Sequence, residues 1–291
     1  MSEIFIEQLK NLMPEATILS DVIDGVSLFR IEHSFSRTPY SYNAGIIMLA
    51  QGEKQVYLED QMYTYNSSRY LVLPVPLPAA CEGITKEGQP LLGLTITIDL
   101  MEIGEILLGA GGIPAPGESL PRGIYSAAMN ETIMEATIRL LKAISHPTDR
   151  SVLGPMIKKE IIYRVLQGEN GEILQALAHR NRRFFQIARI LQKIHESYKT
   201  SFSMEDLAKE SDMGNSTFHS SFKAVTGTSP LQYIKNVRLH KARSLMIYDG
   251  LNAAGAALEV GYESPSQFSR EYKRLFGTPP AKDASLRTLS A

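Results

Sequence analysis

An internal repeat in the last hundred residues constrains this chain more than any other sequence feature. The pattern Phe-x3-Phe-Lys-x3-Gly-Thr-x-Pro begins at Phe218, and it recurs at one fixed offset as Phe-x3-Tyr-Lys-x3-Gly-Thr-x-Pro beginning at Phe268. Self-similarity of this kind indicates that one supersecondary unit is built twice.

Each copy is preceded by a short helical segment and a tight turn. The helical segments span residues 203–210 and 252–260, and both open on Ser or Asn, which cap helix N-termini well. Gly261 in the second turn tolerates a positive φ, whereas Asp212 in the first must adopt it with some strain unless that turn differs. A short helix, a turn and a second helix together predict a helix-turn-helix unit.

The second helix of each unit carries an apolar stripe and an opposite polar face. In the second unit Phe268, Tyr272, Leu275 and Phe276 form the stripe, so the hydrogen-bonding and basic side chains face outward. Such a face suits base edges and phosphates. We predict DNA contacts from Asn215, Ser216, Thr217, His219, Ser220 and Lys223 in the first unit, and from Ser264, Pro265, Ser266, Gln267, Ser269, Arg270, Lys273 and Arg274 in the second.

A single helical segment over residues 231–247 connects the two units. At 1.5 Å per residue its length is about 26 Å. Recognition helices in successive major grooves lie roughly 34 Å apart, so the DNA would have to bend if the helix holds them closer. Bending of this order costs about 1 to 6 kcal/mol.

The charge distribution separates this region from the rest of the chain. Residues 1–179 contain 13 basic and 21 acidic residues, a net charge of −8, whereas residues 180–291 contain 17 and 10, a net charge of +7. We therefore predict two domains over these ranges, the second meeting phosphate. The predicted linker consists of a turn at 168–171, a short helix at 172–178 and the basic stretch 179–183.

The N-terminal domain is predicted to be a sheet followed by helices. Short runs rich in β-branched and aromatic residues, separated by turn signals, fill about residues 18–99 and favour a sandwich or barrel. Helices follow over about 101–178, interrupted by a Gly/Pro-rich loop at 109–121. Two of them span residues 129–145 and 155–167, the latter with Pro155 in its first turn. This pair is either core or a dimerisation surface.

The composition of the chain argues against several other classes of protein. No stretch approaches the roughly 18 consecutive apolar residues of a membrane span, and the N-terminus does not read as a signal peptide, so we expect a cytoplasmic protein. The single Cys81 allows no internal disulfide or Cys-pair zinc site. Only His33 of the six histidines lies in the strand-rich region, which disfavours a metal centre. We expect no enzyme activity and no cofactor.

The C-terminal sequence resembles the AraC/XylS family of bacterial transcription regulators over about residues 185–283. The resemblance is carried by SPLQY at 229–233, VGYESPSQFSR at 260–270 and FGTPP at 276–280. Tyr272 stands where the family usually has Phe, and Asp212 replaces the usual turn glycine. YNAGI at 42–46, AQG at 50–52, PLP at 76–78 and LLGL at 91–94 are similar to a subgroup whose sensor domain is a cupin-like β-barrel.

This resemblance implies an α+β two-domain protein, with a cupin-like β-barrel and flanking helices followed by an all-α domain of two helix-turn-helix units. It also implies promoter DNA and RNA polymerase as partners, and a first domain that senses a small effector or mediates homodimerisation. The alternatives are a non-specific architectural DNA binder and a metal-dependent cupin enzyme fused to a DNA-binding domain. Tyrosines 40, 42, 57, 63 and 65 either line a cavity or pack the strands.

Overall fold

A computed structural model describes residues 2–111, 120–178 and 183–283. The predicted loop at 109–121 and the basic stretch 179–183 of the predicted linker therefore lie mostly outside the described residues, whereas residues 168–178 of that linker are described. In this structure the chain first forms a sheet, then a group of helices packed on it, and then the repeated helical units.

Ten strands of the described chain form one antiparallel sheet. They are β1 Thr17–Ile23, β2 Val26–Ile31, β3 Phe35–Tyr42, β4 Gly45–Gln51, β5 Glu53–Leu58, β6 Gln61–Asn66, β7 Arg69–Leu73, β8 Leu77–Ile84, β9 Leu91–Thr97 and β10 Tyr125–Ala128. Their order is β1-β2-β9-β4-β7-β6-β5-β8-β3, and β10 pairs with β7. The sheet curls into a half-barrel with β1 and β3 at its edges, which confirms the predicted fold of this region.

The strand β10 lies in a region predicted to hold only helices, and that part of the prediction was wrong. Tyr125 pairs with Val72 and Ala128 with Arg69, so the strand is defined by partners far away in sequence. Four residues are too few to show the alternation by which strands are recognised.

The helices of the N-terminal region cover the sheet. They are α1 Ser2–Leu12, α2 Leu100–Gly109, α3 Glu131–Ile144, α4 Pro147–Leu166 and α5 Gly171–Gln175, followed by a 3-10 turn at Ala176–Ala178. The prediction that α4 starts at Pro155 was wrong. Pro147 occupies the first turn instead, and Pro155 lies exposed inside the helix. Packing against α3 and burial of Gly154, Ile157 and Ile161 keep α4 continuous although Pro155 donates no backbone hydrogen bond.

The remaining helices are α6 Arg183–Glu196, α7 Met204–Glu210, α8 Asn215–Thr226, α9 Pro230–Tyr248, α10 Ala253–Glu259 and α11 Pro265–Phe276. One hydrophobic core runs from Phe5 in α1 to Val237 in α9, so the first helical unit is continuous with the core of the half-barrel. A second, smaller core contains Leu239, Ala257, Phe268 and Tyr272. The second unit therefore has a core of its own.

Candidate nucleic-acid interface

The two repeated units are both helix-turn-helix units with the same turn geometry. The first consists of α7 and α8, and the second of α10 and α11. Asp212 adopts a φ of 52° and Gly261 a φ of 83°, so of the two alternatives for the first turn, the left-handed residue is the one observed. Ser203 and Asn252 cap α7 and α10 by accepting backbone N–H groups, as predicted.

The helix α11 is bounded by local signals. Pro265 occupies its first turn, the Ser264 hydroxyl accepts the Gln267 amide at 3.3 Å, and Gly277 ends the helix with a φ of 74°. Phe268 and Tyr272 are buried in the second core, and Leu275 and Phe276 are partly buried beside them. The predicted apolar stripe is therefore the packed face of this helix.

The opposite face of α11 is open to solvent. Pro265, Ser266, Gln267, Ser269, Arg270, Lys273 and Arg274 are exposed, and Ser264 is half-buried by its capping role. None of the ion pairs within the described parts of the chain involves the three basic residues of this set. This face presents guanidinium and ammonium groups that form no ion pair within the described chain, beside exposed amide and hydroxyl groups.

The carboxylate of Glu271, which the sequence reasoning did not consider, is held away from that face. Its oxygens accept hydrogen bonds from Lys235 of α9 and from the Tyr262 hydroxyl, each at 2.8 Å, and from Gln267 at 3.2 Å. Burial alone would raise the pKa of Glu271, but these hydrogen bonds hold the pKa below its usual value. The pairing with Lys235 offsets a negative charge that would otherwise oppose an approaching phosphate.

The helix α8 offers a similar but less basic surface. Asn215, Ser216, Thr217, His219, Ser220 and Lys223 are all exposed, while Phe218, Phe222 and Val225 are buried. Lys223 is the only cation among the six predicted contact residues. A helix with one cation contributes less phosphate attraction than α11 with three.

Two arginines of the connecting helix α9 hold the second unit in place. Arg238 donates to the carbonyl oxygens of Tyr198, Thr200 and Gly261 at 2.8, 2.7 and 3.1 Å, so its guanidinium is occupied inside the protein. Arg243 forms a two-point pair with Asp283 at 2.7 and 3.2 Å. These arginines position the second turn and the end of the second unit. Because their partners are distant in sequence, no local pattern predicts this role.

A polar link joins the DNA-binding helices to the half-barrel. Tyr233 of α9 donates its hydroxyl hydrogen to the carbonyl oxygen of Pro76 at 2.6 Å, and its oxygen lies 2.8 Å from Nε2 of His195 in α6. Because Tyr233 has only one hydroxyl hydrogen and a carbonyl can only accept, His195 donates from Nε2. Burial, with a smaller effect of Lys241, lowers the pKa of His195 to about 4.

The described residues contain no group of three or more His, Cys, Asp and Glu placed to hold a metal ion. No helix among them is both long and apolar enough to cross a membrane.

Comparison with known proteins places these features in one family. Residues 22–173 match the family described as AraC-type transcriptional regulator N-terminus, and residues 207–284 match a helix-turn-helix domain. The virulence regulon transcriptional activator VirF of Yersinia enterocolitica is 30% identical over 244 residues, which cover 82% of this chain and 88% of VirF. The thermoregulatory protein LcrF of Yersinia pestis is 25% identical over 243 residues, with the same coverage of 82% and 88%.

The same fold occurs in ToxT from Vibrio cholerae. One structure of ToxT superimposes with a TM-score of 0.64 at 12% identity, covering 90% of this chain and 98% of ToxT. The resemblance inferred from the sequence motifs is thus confirmed in both halves of the chain. The chain belongs to the AraC family of DNA-binding transcriptional regulators.

Proposed function

We propose that this regulator binds a promoter site of two blocks, each read in the major groove by one recognition helix. The observation that carries the proposal is the exposed face of α11, whose Arg270, Lys273 and Arg274 are unpaired within the described chain while Glu271 is neutralised by Lys235. Arg270 lies mid-helix, where a guanidinium meets a guanine edge, and Lys273 and Arg274 lie further along, where they meet phosphate.

The two helices make unequal contributions. Because α8 carries only Lys223, it adds hydrogen-bond contacts but little electrostatic affinity, and α11 dominates. The helix α9 has 19 residues, which at 1.5 Å per residue is about 28 Å. This is shorter than the roughly 34 Å between successive major grooves, so the bound DNA bends toward the protein.

Selection from a random DNA pool tests this proposal. The full-length protein at about 0.15 M salt should recover a motif with two blocks centred about ten base pairs apart. A variant carrying Arg270→Ala should recover the same motif with one position degenerate. Recovery of no motif by the wild-type protein would contradict specific recognition and favour an architectural DNA binder.

Promoter occupancy would then recruit or block RNA polymerase, as the family resemblance implies. Transcription in vitro from a promoter containing the selected motif shows whether the protein activates or represses. A rise in transcript with added protein identifies an activator, and a fall identifies a repressor.

We also infer that the N-terminal half controls DNA binding through a small effector. ToxT, which shares this fold, has been solved with an unsaturated fatty acid bound. In this chain a cleft of about 190 Å³ lies where the half-barrel meets α6, and its lining includes Pro76 and His195. Both residues belong to the link through Tyr233, so a change at this junction would reach α9.

A homodimer is the assembly that the surface of α4 favours. Val152, Leu153, Met156 and Tyr163 are exposed along this helix, and an apolar stripe of this size is covered when the same stripe of a second copy packs on it. Met156→Glu should convert the dimer to a monomer in analytical ultracentrifugation. The exposed Met101→Glu on α2 serves as the matched control and should leave the mass unchanged.

A further inference from the structure

The carboxylate of Glu271 fixes the orientation of one predicted DNA-contact residue, Gln267. The two residues are four apart on α11, so their side chains are neighbours on the helix surface. Gln267 donates a hydrogen bond from Nε2 to Oε1 of Glu271 at 3.2 Å. Because a carboxylate only accepts hydrogen bonds, the nitrogen of the Gln267 amide must face Glu271. This contact therefore determines how the amide is oriented.

Glu271 is itself anchored by residues outside α11. Its Oε1 also accepts a hydrogen bond from Lys235 of α9, and its Oε2 accepts one from the Tyr262 hydroxyl, each at 2.8 Å. Tyr262 is buried beside Phe268, with the two ring centroids 5.3 Å apart, so the second core holds its hydroxyl in place. Only 12% of the Glu271 side chain is exposed. The carboxylate is therefore a fixed support for the exposed amide of Gln267.

The remaining polar groups of the Gln267 side chain are one amide hydrogen and the carbonyl oxygen Oε1. Nε2 has two hydrogens, of which Glu271 takes one. No hydrogen bond within the described residues engages Oε1 of Gln267, and the Ser264 hydroxyl accepts only its backbone amide. An acceptor beside a donor on an exposed amide is the complement of N6 and N7 of adenine in the major groove.

The position of Gln267 on α11 suits contact with a base. It lies in the first turn, after the cap Ser264 and Pro265, and recognition helices contact base edges through their N-terminal residues. Arg270 lies three residues further, which is about 4.5 Å along the helix axis at 1.5 Å per residue. For a helix lying along the groove, this distance is close to the spacing of about 3.4 Å between successive bases. Gln267 and Arg270 therefore reach neighbouring base pairs.

Gln267 differs from its exposed neighbours because its side chain is held before DNA arrives. Within the described residues no hydrogen bond or ion pair engages the side chains of Ser266, Ser269 and Arg270. A long side chain loses rotamer freedom when it is ordered against a base. The contact with Glu271 already restricts Gln267 in the protein without DNA, so the amide meets DNA preorganised.

We propose that Glu271 is a positioning residue that holds the Gln267 amide to recognise adenine, at the base pair next to the one read by Arg270. The Gln267 Oε1 accepts a hydrogen bond from adenine N6, and its remaining amide hydrogen donates to N7. Glu271 touches no base and acts only through Gln267. This inference rests on the proposed reading of the major groove by α11.

The first helix-turn-helix unit has no equivalent of this pair. When Phe218 is aligned with Phe268, Thr217 takes the place of Gln267 and Ser221 that of Glu271. Ser221 is buried, and neither residue carries an amide or a carboxylate. The adenine position therefore belongs only to the block of the operator that α11 reads.

Selection from a random DNA pool with the full-length protein tests the inference. The wild-type motif should contain adenine beside the position that Arg270→Ala makes degenerate, preferred about tenfold over the other bases. Glu271→Ala should reduce this preference to less than about threefold and leave every other position unchanged. Glu271→Gln should keep the preference, because its carbonyl oxygen still accepts from Gln267 and its amide donates to the Tyr262 hydroxyl oxygen.

Binding to a random duplex separates positioning from a purely structural role. A structural defect in Glu271→Ala would weaken binding to every sequence by a similar factor. Under the proposal the affinity of this variant for a random duplex should not fall, because a negative charge near phosphate has been removed. Glu263→Ala removes an exposed carboxylate of the second turn that does not contact Gln267. It is the charge-matched control and should keep the adenine preference.

Two results would overturn the inference alone: a wild-type motif with no adenine beside the Arg270 position, or an adenine preference that persists in Glu271→Ala. If Glu271→Ala does not fold, Gln267→Met at the exposed position carries the test, and an adenine preference that survives there counts against the inference. Recovery of no motif by the wild-type protein would overturn the proposed groove reading as well.

A folded Glu271→Ala protein that loses affinity for all sequences equally, with the adenine preference intact, would assign Glu271 a structural role and refute positioning.

Discussion

At the scale of single residues, we expect the polar side chains of α11 to divide between base recognition and phosphate contact. Arg270 lies mid-helix among Ser266, Gln267 and Ser269, whereas Lys273 and Arg274 lie in the last turn. A bidentate guanidinium distinguishes one base from another, while an ammonium attracts any phosphate. Two substitutions one helical turn apart should therefore have different consequences.

Arg270→Ala should relax base preference at one position of the operator. The expected loss is about 1 to 3 kcal/mol of discrimination at that position, because the bidentate contact with guanine is removed. Competition binding against operators with each base at each position measures it. Unchanged discrimination at every position would show that α11 does not enter the groove as proposed.

Lys273→Ala should weaken binding to all sequences alike. Loss of one phosphate contact reduces the slope of log K against log salt by about one. Titrations of a specific and a random duplex at four salt concentrations give this slope. Lys10→Ala on α1 is a charge-matched control and should leave the slope unchanged. Equal slopes for the two variants would show that Lys273 does not contact phosphate.

At the scale of elements, the turns of the two helix-turn-helix units have the same backbone geometry, although Asp occupies the left-handed position in one and Gly in the other. Asp212 is exposed at a φ of 52°, and its side chain accepts a hydrogen bond from Gln186 at 3.4 Å. Gly261, at a φ of 83°, packs so closely that a Cβ would lie 2.4 Å from the Lys199 carbonyl oxygen. The first turn therefore tolerates a side chain at the expense of strain, and the second excludes one.

Asp212→Gly should stabilise the protein by about 1 kcal/mol, since glycine adopts the left-handed conformation without strain. Gly261→Ala should destabilise it by about 2 kcal/mol or more, because backbone strain and a steric clash act together. Urea unfolding with an unchanged m-value measures both. A stabilising Gly261→Ala would mean that the second turn is not constrained as the structure indicates.

Elements with local signals were predictable, and those defined by distant partners were not. The start of α11 is set by Ser264 and Pro265 and its end by Gly277, all of which are local signals. The strand β10 depends on β7, and the true start of α4 depends on packing against α3.

The same distinction applies to the sites. The outward face of α11 follows from helical periodicity, whereas the pairing of Lys235 with Glu271 joins residues 36 apart. The link from His195 through Tyr233 to Pro76 joins residues far apart in sequence, and no local pattern brings them together. Helical periodicity predicts which way a side chain faces, but only the fold determines which residues it contacts.

At the scale of the whole molecule, the half-buried His195 and His240 should make the stability of the protein sensitive to acid. His195 has a pKa of about 4, and burial with the charges of Arg243 and His195 lowers the pKa of His240 to about 3. In the unfolded chain, histidine side chains are protonated near pH 6.5. The stability that these neutral histidines contribute is therefore complete above pH 6.5 and is lost as the pH falls toward 4.

Between pH 7 and pH 5 each of these histidines should reduce the free energy of unfolding by about 2 kcal/mol. His195→Gln retains a donor for Tyr233 but cannot titrate, so its stability should fall less over this interval. Thermal unfolding of both proteins at the two pH values measures the difference. His219→Gln, at an exposed position, should behave like the wild type, and an identical pH dependence in all three proteins would contradict the assignment.

The core that extends from α1 to α9 determines which recombined chains can fold. A cut between the half-barrel and the repeated units would uncover the apolar faces of α6 and α8, because both are buried in that shared core. A cut after Val237 would leave a fragment whose residues share a separate core. Exchange of promoter specificity between regulators of this kind is therefore expected to succeed most readily by replacing the second unit alone, within α9, rather than the entire DNA-binding half.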